Sequence, residues 1–168
     1  MTPPSSAPSK ISQDSIVHSD LAGKYLSFFL ADEEYGIEIL KVQEIIGVLP
    51  ITTIPRTPPH VLGVINLRGK IIPVVDLRLR FDLDAAETTE ETCIIVVATS
   101  GVVMGLQVDR VSEVIDVEPD NIEATPNFGA QINTDYILGL SRCEGSVRLL
   151  LDIDRVLPAS DVTLANDL

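Results

Sequence analysis

The chain is poor in histidine and cysteine, two residue types that are common in catalytic and metal centres. It contains two histidines and two cysteines among 168 residues, and Cys93 and Cys143 do not form a C-x-x-C pair. His18 lies in a Ser/Pro-rich segment, and His60 has no partner at metal-ligand spacing, so a zinc site or a Ser-His-Asp triad is not expected. No base is placed to activate either cysteine. Both are therefore expected to be buried structural thiols in a reducing compartment.

Phosphate-binding loops and membrane spans are also missing. The ten glycines are dispersed, which leaves neither a P-loop nor a G-x-G-x-x-G motif. No run approaches the roughly 18–20 apolar residues that a spanning helix needs. Residues 1–23 lack the apolar run of a signal peptide. The sequence predicts a cytoplasmic protein without a metal, a cofactor or a catalytic residue.

Positively charged residues are scarce, and they are unevenly distributed along the chain. The net charge is −13, which argues against nucleic acid and anionic membranes as partners. Between residues 41 and 80, however, six basic residues face two acidic ones, a net charge of +4, so the remainder carries −17. A basic face on an acidic protein indicates a specific protein partner, whereas chance clustering on a solvated surface is the alternative.

Aromatic residues make up only 4% of the chain and tryptophan is absent, whereas 45% of the chain is hydrophobic. The core is therefore aliphatic, and its many valines and isoleucines favour strands. The sequence contains an internal repeat. Residues 36–50 match residues 105–119 without a gap. Further along, Gly63, Gly69 and Asp76 have the same spacing as Gly139, Gly145 and Asp152. Two copies, about 24–81 and 93–157, predict two similar halves that pack on each other.

Each copy opens with a predicted β-hairpin. The segment that follows is ambiguous: we predict a short helix at residues 40–46 but a strand at residues 111–117. A second hairpin turns at Arg68-Gly69 in the first copy and at Glu144-Gly145 in the second. Pro73 in the returning strand cannot donate to a ladder, so one side of that strand should be an edge or a bulge.

The domain boundaries follow from composition. Residues 1–23 are predicted to be a disordered tail, residues 24–157 the folded domain, and residues 158–168 a carboxy-terminal tail. Residues 82–91 carry five acidic residues and no glycine or proline, which indicates an exposed linker between the copies. With four or five short strands in each half and little helix, a small closed or partly open β-barrel is expected, because closure removes edge strands.

Asp76 and Asp152 occupy equivalent positions, as do the two carboxylates of an aspartic-protease dyad. That chemistry requires a small hydroxyl residue and a glycine after each aspartate, but Leu77 and Ile153 follow here. Both aspartates can instead cap short helices. A two-lobed hydrolase remains a rival hypothesis, and a non-catalytic binding protein is favoured.

The clearest difference between the copies lies at the second hairpin. Asn66-Leu67-Arg68-Gly69 stands opposite Arg142-Cys143-Glu144-Gly145. An arginine beside a turn glycine presents a planar group with five donors, which suits a carboxylate on a partner. An ordinary solvated turn arginine is the alternative.

Two segments carry a family resemblance. Residues 63–78, GVINLRGKIIPVVDLR, look like the signature of the CheW family of bacterial chemotaxis coupling proteins. Residues 32–45, DEEYGIEILKVQEI, resemble the other hallmark segment of the family. The similarity covers about residues 24–157. It implies a mainly β fold of two small five-stranded, SH3-like β-barrel subdomains with short helices.

The resemblance also implies a function. It implies an adaptor that joins the cytoplasmic tips of transmembrane chemoreceptors to the regulatory domain of the histidine kinase CheA, associated with the membrane through receptor arrays. A detached regulatory domain of such a kinase is a third alternative. By position, receptor contact is implied for Val42, Glu44, Gly63 and Val114, and coupling and kinase control for Asn66 and Arg68.

Overall fold

A computed structural model describes residues 23–99, 101–125 and 135–157, so nearly all of both predicted tails lies outside the described residues. Within them the chain forms short strands and single-turn helices. Their bounds are β1 Lys24–Leu30, β2 Glu33–Glu38, β3 Val42–Gly47, β4 Val61–Leu67, β5 Lys70–Asp76, α1 Leu77–Arg80, β6 Cys93–Thr99, β7 Val102–Val108, β8 Arg110–Asp116, β9 Ile122–Glu123, β10 Ile137–Cys143, β11 Ser146–Leu151 and α2 Ile153–Val156. No helix in the described part of the chain is long and apolar enough to cross a membrane.

The strands form two sheets with equivalent strand orders. Sheet 1 has the order β3-β6-β7-β5-β4, and sheet 2 has the order β8-β1-β2-β11-β10-β9. Each contains one parallel pair, β5 with β7 in sheet 1 and β11 with β2 in sheet 2, among antiparallel neighbours. The predicted mainly β fold with two subdomains and few short helices is confirmed.

The division between the sheets differs from the expectation that each copy builds its own half. The opening hairpin β1-β2 of the first copy joins the strands of the second copy in sheet 2. Reciprocally, the opening hairpin β6-β7 of the second copy joins β3, β4 and β5 in sheet 1. Sheet 1 is therefore continuous in sequence, from residue 42 to residue 108, and sheet 2 is assembled from the segments on either side.

Short connections explain this exchange. Only residues 39–41, a 3-10 turn, separate β2 from β3. If β3 paired with β1 of its own copy, it would run parallel to β2, and the connection would have to return along a whole strand. A six-residue strand is about 20 Å long, whereas three residues span at most about 11 Å. The chain therefore continues into the other sheet, where β3 pairs with β6.

Three apolar clusters form the core. The largest contains fully buried residues from both sheets and holds them together: Phe28, Leu30 and Ile37 from sheet 2, and Val97, Met104 and Leu106 from sheet 1. Each sheet also has a smaller cluster of its own, around Val74 and Ile94 in sheet 1 and around Leu150 in sheet 2. As predicted, the clusters are mainly aliphatic.

The helix predicted at residues 40–46 is wrong. Residues 39–41 form the 3-10 turn, and β3 follows directly, with Glu44 opposite Val96 of β6. The pairing partner comes from the other copy, about fifty residues away, and this non-local ladder overrides a pattern that suits either structure. The strand predicted at residues 111–117 is confirmed, because β8 spans Arg110–Asp116.

Both helix caps are confirmed. The Asp76 carboxylate accepts a hydrogen bond from the backbone N–H of Arg78 at 2.9 Å, and that of Asp152 accepts one from the N–H of Asp154 at 3.1 Å. Burial raises the pKa of Asp76. Each aspartate thus satisfies the first turn of its own helix, and the capping interpretation explains their repetition.

The chain crosses from one sheet to the other between β2 and β3 and between β7 and β8, and an ion pair lies at each of these crossovers. Arg78 of α1 donates to both carboxylate oxygens of Asp109, between β7 and β8, at 2.7 and 2.5 Å. Lys41, between β2 and β3, donates to Asp154 of α2 at 2.9 Å. The residue at the crossover is the acid, Asp109, in the first pair and the base, Lys41, in the second.

The predicted linker, residues 82–91, is largely exposed. The carbonyl of Asp84 in this linker accepts a hydrogen bond from Arg78 at 3.0 Å.

Candidate functional site

The β4–β5 turn is built to present Arg68. Leu67 and Lys70 face each other across a two-residue loop, and the two central residues have positive φ angles, 54° at Arg68 and 86° at Gly69. This is the geometry of a type I′ turn, in which asparagine, aspartate or glycine is preferred at the first central position. An arginine there is disfavoured by roughly 1–2 kcal/mol. Arg68 therefore occupies a position that backbone preference would give to another residue.

Asn66 stabilises the same turn. Its side-chain Oδ1 accepts a hydrogen bond from the backbone N–H of Gly69 at 2.8 Å. The side chain thus substitutes for a backbone acceptor and helps to hold the tight turn. The structure gives Asn66 a local role of shaping the turn from which Arg68 projects.

Arg68 forms an ion pair with Glu44 of β3. In sheet 1, β3 and β4 are the two outermost strands, so this pair connects opposite edges of the sheet. The Arg68 side chain remains 69% exposed and that of Glu44 is 33% exposed. An exposed pair of this kind contributes about 0–1 kcal/mol to stability. Its main effect is to orient the guanidinium group.

The other predicted site residues lie in different settings. Val42 is two residues before Glu44 on β3 and packs against the central core. Val114 is 52% exposed and lies on β8, the edge strand of sheet 2. Since β3 and β8 each begin at a crossover between the sheets, Val42 and Val114 occupy equivalent edge strands rather than one cluster.

Gly63 is buried, and its surroundings explain its identity. Its φ is 143°, and an ideal Cβ would lie only 2.0 Å from the carbonyl oxygen of Thr52. Thr52 pairs with Val64 in an isolated bridge beside β4. Gly63 therefore allows a close backbone approach that shapes β4, and no side chain is available there for a partner.

A cleft beside Arg68, lined by polar and apolar side chains, was missed from the sequence. Its apolar lining includes Ile72, Val96 and Val103, of which Ile72 and Val96 are almost completely buried. Its rim includes Glu44, Arg68 and Lys70. The signal was present in the repeat, because these three apolar positions correspond to Arg148, Ser27 and Glu34 in the other copy.

The described residues offer no centre for metal or thiol chemistry. Among them, no group of three or more His, Cys, Asp or Glu side chains is arranged to hold a metal ion. Burial raises the pKa of the Cys93 thiol, which disfavours the reactive thiolate. The arrangement of Arg68, Asn66 and Glu44 supports recognition of a partner.

Comparisons with known proteins agree with this picture. The family model of the CheW-like domain matches residues 24–161. The chain is 38% identical over 154 residues to the chemotaxis protein CheW of Klebsiella aerogenes, covering 89% of this chain and 93% of that protein. It is 37% identical over 136 residues to the chemotaxis protein CheW of Rhizobium meliloti, covering 81% and 88%.

A solved structure shares the fold. The scaffolding protein TtCheW from Thermoanaerobacter tengcongensis superposes with a TM-score of 0.73 at 36% identity. The match covers 80% of this chain and 91% of that one. The chain belongs to the CheW-like domain family.

Proposed function

We propose that this chain is a non-catalytic adaptor that couples transmembrane chemoreceptors to the histidine kinase CheA. Family membership supports a scaffolding role in chemotaxis, because the relatives are chemotaxis proteins and the structural neighbour is a scaffolding protein. The kinase and the receptors are the finer part of the proposal. Through them the adaptor would associate with the membrane in receptor arrays.

The observation that carries the proposal is the placement of Arg68. It is an exposed arginine held at a disfavoured positive φ, in the basic segment of an acidic chain. Glu144 also has a positive φ at the equivalent turn, so backbone strain alone does not single out Arg68, whereas its positive charge and its ion pair with Glu44 do. A planar guanidinium group fixed by Glu44 is well suited to bind a carboxylate on a partner protein.

The Arg68–Glu44 pair also suggests how two contacts could communicate. We assign receptor contact to Val42, Glu44 and Val114 on the edge strands, and kinase control to Asn66 and Arg68. Gly63 acts by shaping β4 rather than by touching a partner. Because Glu44 binds Arg68 directly, a receptor helix packed on β3 would change the position of Arg68. A receptor signal could then reach the kinase through one ion pair.

Co-sedimentation tests the proposal. The full chain is mixed with receptor-bearing membranes, with purified kinase, and with both, and the pellets are analysed. We expect the chain to pellet with the membranes and to bring the kinase with it. If the chain stays in the supernatant when the membranes are pelleted, and also does not bind the kinase, the proposed adaptor function is wrong.

A further inference from the structure

The helix α2, which follows the strands of sheet 2, carries a carboxylate that two residues of sheet 1 bind. Lys41, directly before β3, donates from Nζ to Oδ2 of Asp154 at 2.9 Å. The hydroxyl of Thr99, at the end of β6, donates to the other carboxylate oxygen, Oδ1. Thr99 is only 1% exposed, so its hydroxyl depends on a protein acceptor. Asp154 therefore joins the end of β6 to the start of β3.

The turn that leads into β3 has little else of its own to fix it. None of residues 39–41 is fully buried, and no side chain caps the turn. The hydrogen bond to Asp154 raises the pKa of Lys41, which keeps its ammonium group charged. The side chains of Lys41 and Asp154 are 33% and 39% exposed, so water partly screens the pair. The pair can therefore open without disturbing the core.

The strand β3 is irregular between this turn and Glu44. It is an outermost strand of sheet 1 and pairs with β6. Within that ladder the register shifts by one residue between Val42 and Glu44, so Gln43 is the extra residue of a bulge. A bulge leaves its extra residue unpaired and bends the strand. The position of the Glu44 carboxylate therefore depends on how the chain enters β3, which is set at Lys41.

The other crossover has the same plan but is held more firmly. Asp109, directly before β8, accepts hydrogen bonds from Arg78 of α1 and, at 2.7 Å, from the backbone N–H of Ala31 in the β1–β2 turn. The side chains of Arg78 and Asp109 are only 18% and 27% exposed. This crossover leads into β8 of sheet 2, whereas Glu44 and Arg68 both belong to sheet 1.

We infer that Asp154 is a positioning residue for Glu44 and, through Glu44, for Arg68. The inference rests on the proposed function, because it gives a signalling role to the crossover that precedes the receptor-contact strand. The connection runs from Asp154 to Lys41, along the bulged start of β3 to Glu44, and from there to Arg68. Opening the exposed pair of Lys41 and Asp154 would move Glu44 and so reorient the guanidinium group.

The side chain of Arg68 itself reports on this connection. Its Nε–H signal in a proton–nitrogen correlation NMR spectrum of the full chain is assigned by its loss in Arg68→Lys. Glu44→Gln defines the position of the signal when the ion pair is lost. We expect Asp154→Ala to move the signal at least about a quarter of the way to that position, because it shifts the population of the pair.

Two further variants each remove one of the two ties of Asp154. Lys41→Met removes the cation, and Thr99→Val removes the hydroxyl with little change of shape. Each should move the Arg68 signal in the same direction as Asp154→Ala, but less far. Lys41→Met changes a partly exposed side chain and carries the test if Asp154→Ala fails to fold.

Asp109→Asn is the matched control, because it weakens the equivalent tie at the other crossover. It should lower the midpoint of thermal unfolding more than Lys41→Met does, since its ion pair is more buried. It should nevertheless leave the Arg68 signal within about a tenth of the reference displacement, because distant sites are energetically independent. A general loosening of the fold would instead move the signal in proportion to the loss of stability.

Reconstitution with receptor-bearing membranes and the kinase gives the second readout. We expect Asp154→Ala to pellet with the membranes but to lower kinase activation at least about threefold, whereas Asp109→Asn stays within about twofold of the wild type.

Three results would overturn the inference and leave the adaptor function standing. They are an unmoved Arg68 signal in folded Asp154→Ala and Lys41→Met, an equal displacement in Asp109→Asn, and full kinase activation by Asp154→Ala. If the wild type binds neither the membranes nor the kinase, the proposed function fails, and the signalling role of Asp154 fails with it. The two failures are distinguishable, because the Arg68 signal is measured without a partner.

Discussion

The two sheets have equivalent strand orders but opposite chemistry at the ends where their second hairpins turn. Sheet 1 places Arg68 at its turn, in an ion pair with Glu44, beside an open cleft lined by polar and apolar side chains. Sheet 2 places Glu144 at the equivalent turn, and the cluster of Ser27, Glu34 and Arg148 lies beside it. Since both ends support the same fold, the fold does not dictate either set of side chains. The difference points to sheet 1 as the end specialised for a partner.

The largest expected effect tests whether the equivalent glycines Gly63 and Gly139 contribute equally to stability. Gly63→Ala should destabilise the protein by at least about 3 kcal/mol, because strain at positive φ adds to a clash with backbone. Gly139→Ala should cost about 1–3 kcal/mol, since its clash involves the Ile122 side chain and Glu123 backbone without a positive φ. Urea unfolding measures both.

Gly47→Ala is the control, because nothing lies within 4 Å of the added methyl group. If Gly63→Ala unfolds at the same urea concentration as Gly47→Ala, the close approach to Thr52 does not govern this position.

Removing one partner of the buried ion pair of sheet 2 should cost more stability than replacing the whole cluster. Arg148→Ala leaves Glu34 buried without its cation and should cost about 3 kcal/mol. Replacing the whole cluster by the residues of sheet 1, in S27V/E34V/R148I, should cost much less, because no charge then remains buried. Chemical denaturation of the two variants provides the comparison, and equal losses would show that the cluster stabilises through packing alone.

The ion pair between Arg78 and Asp109 should make the stability of the protein depend on pH in acid. Burial alone would raise the pKa of Asp109, but hydrogen bonds from Arg78 and from the Ala31 N–H outweigh it and hold this pKa below its ordinary value. The stabilisation is therefore fully present above the unfolded value of about 3.9. It is lost as the pH falls through the folded-state pKa.

Asp109→Asn should lower stability at neutral pH by about 1–2 kcal/mol and flatten its decline in acid. Lys41→Met, at the more exposed crossover, should cost less than about 1 kcal/mol. Denaturation across a pH series checks both, and an acid decline in Asp109→Asn as steep as in the wild type would contradict the assignment.

The smallest expected effect concerns the strained turn. Arg68→Asn should raise stability by about 0.5–1 kcal/mol, because asparagine tolerates the positive φ better than arginine. Thermal unfolding measures the change. A lower midpoint would mean that the ion pair with Glu44 outweighs the backbone preference.

Local features were predictable from the sequence, and non-local pairings were not. The turns at Arg68-Gly69 and Glu144-Gly145 and the caps at Asp76 and Asp152 follow from residues within a few positions of one another. The strand nature of residues 42–47 depends on β6, which is far away in sequence, and the helix prediction failed there. The exchange of opening hairpins likewise depends on the three-residue connection after β2.

The candidate site was predictable to a similar extent. Arg68 and Asn66 could be found at the mismatch between the copies, but their connection to Glu44 requires the two edges of sheet 1 to meet. The cleft lies where the parallel ladder between β5 and β7 begins only after Pro73. Pro73 predicted an edge or a bulge, but the neighbouring strand β7 comes from the other copy and could not be predicted. Val42 and Val114 were placed by resemblance, and their part in binding remains a prediction.

Reciprocal charge reversal at the two equivalent turns tests the central claim most directly. Arg68→Glu and Glu144→Arg are each reconstituted with receptor-bearing membranes and kinase, and kinase activity is measured. We predict that Arg68→Glu stays folded and loses activation by at least about tenfold, whereas Glu144→Arg retains it. Equal activation by both variants, or a greater loss in Glu144→Arg, would contradict the assignment of sheet 1 as the specialised end.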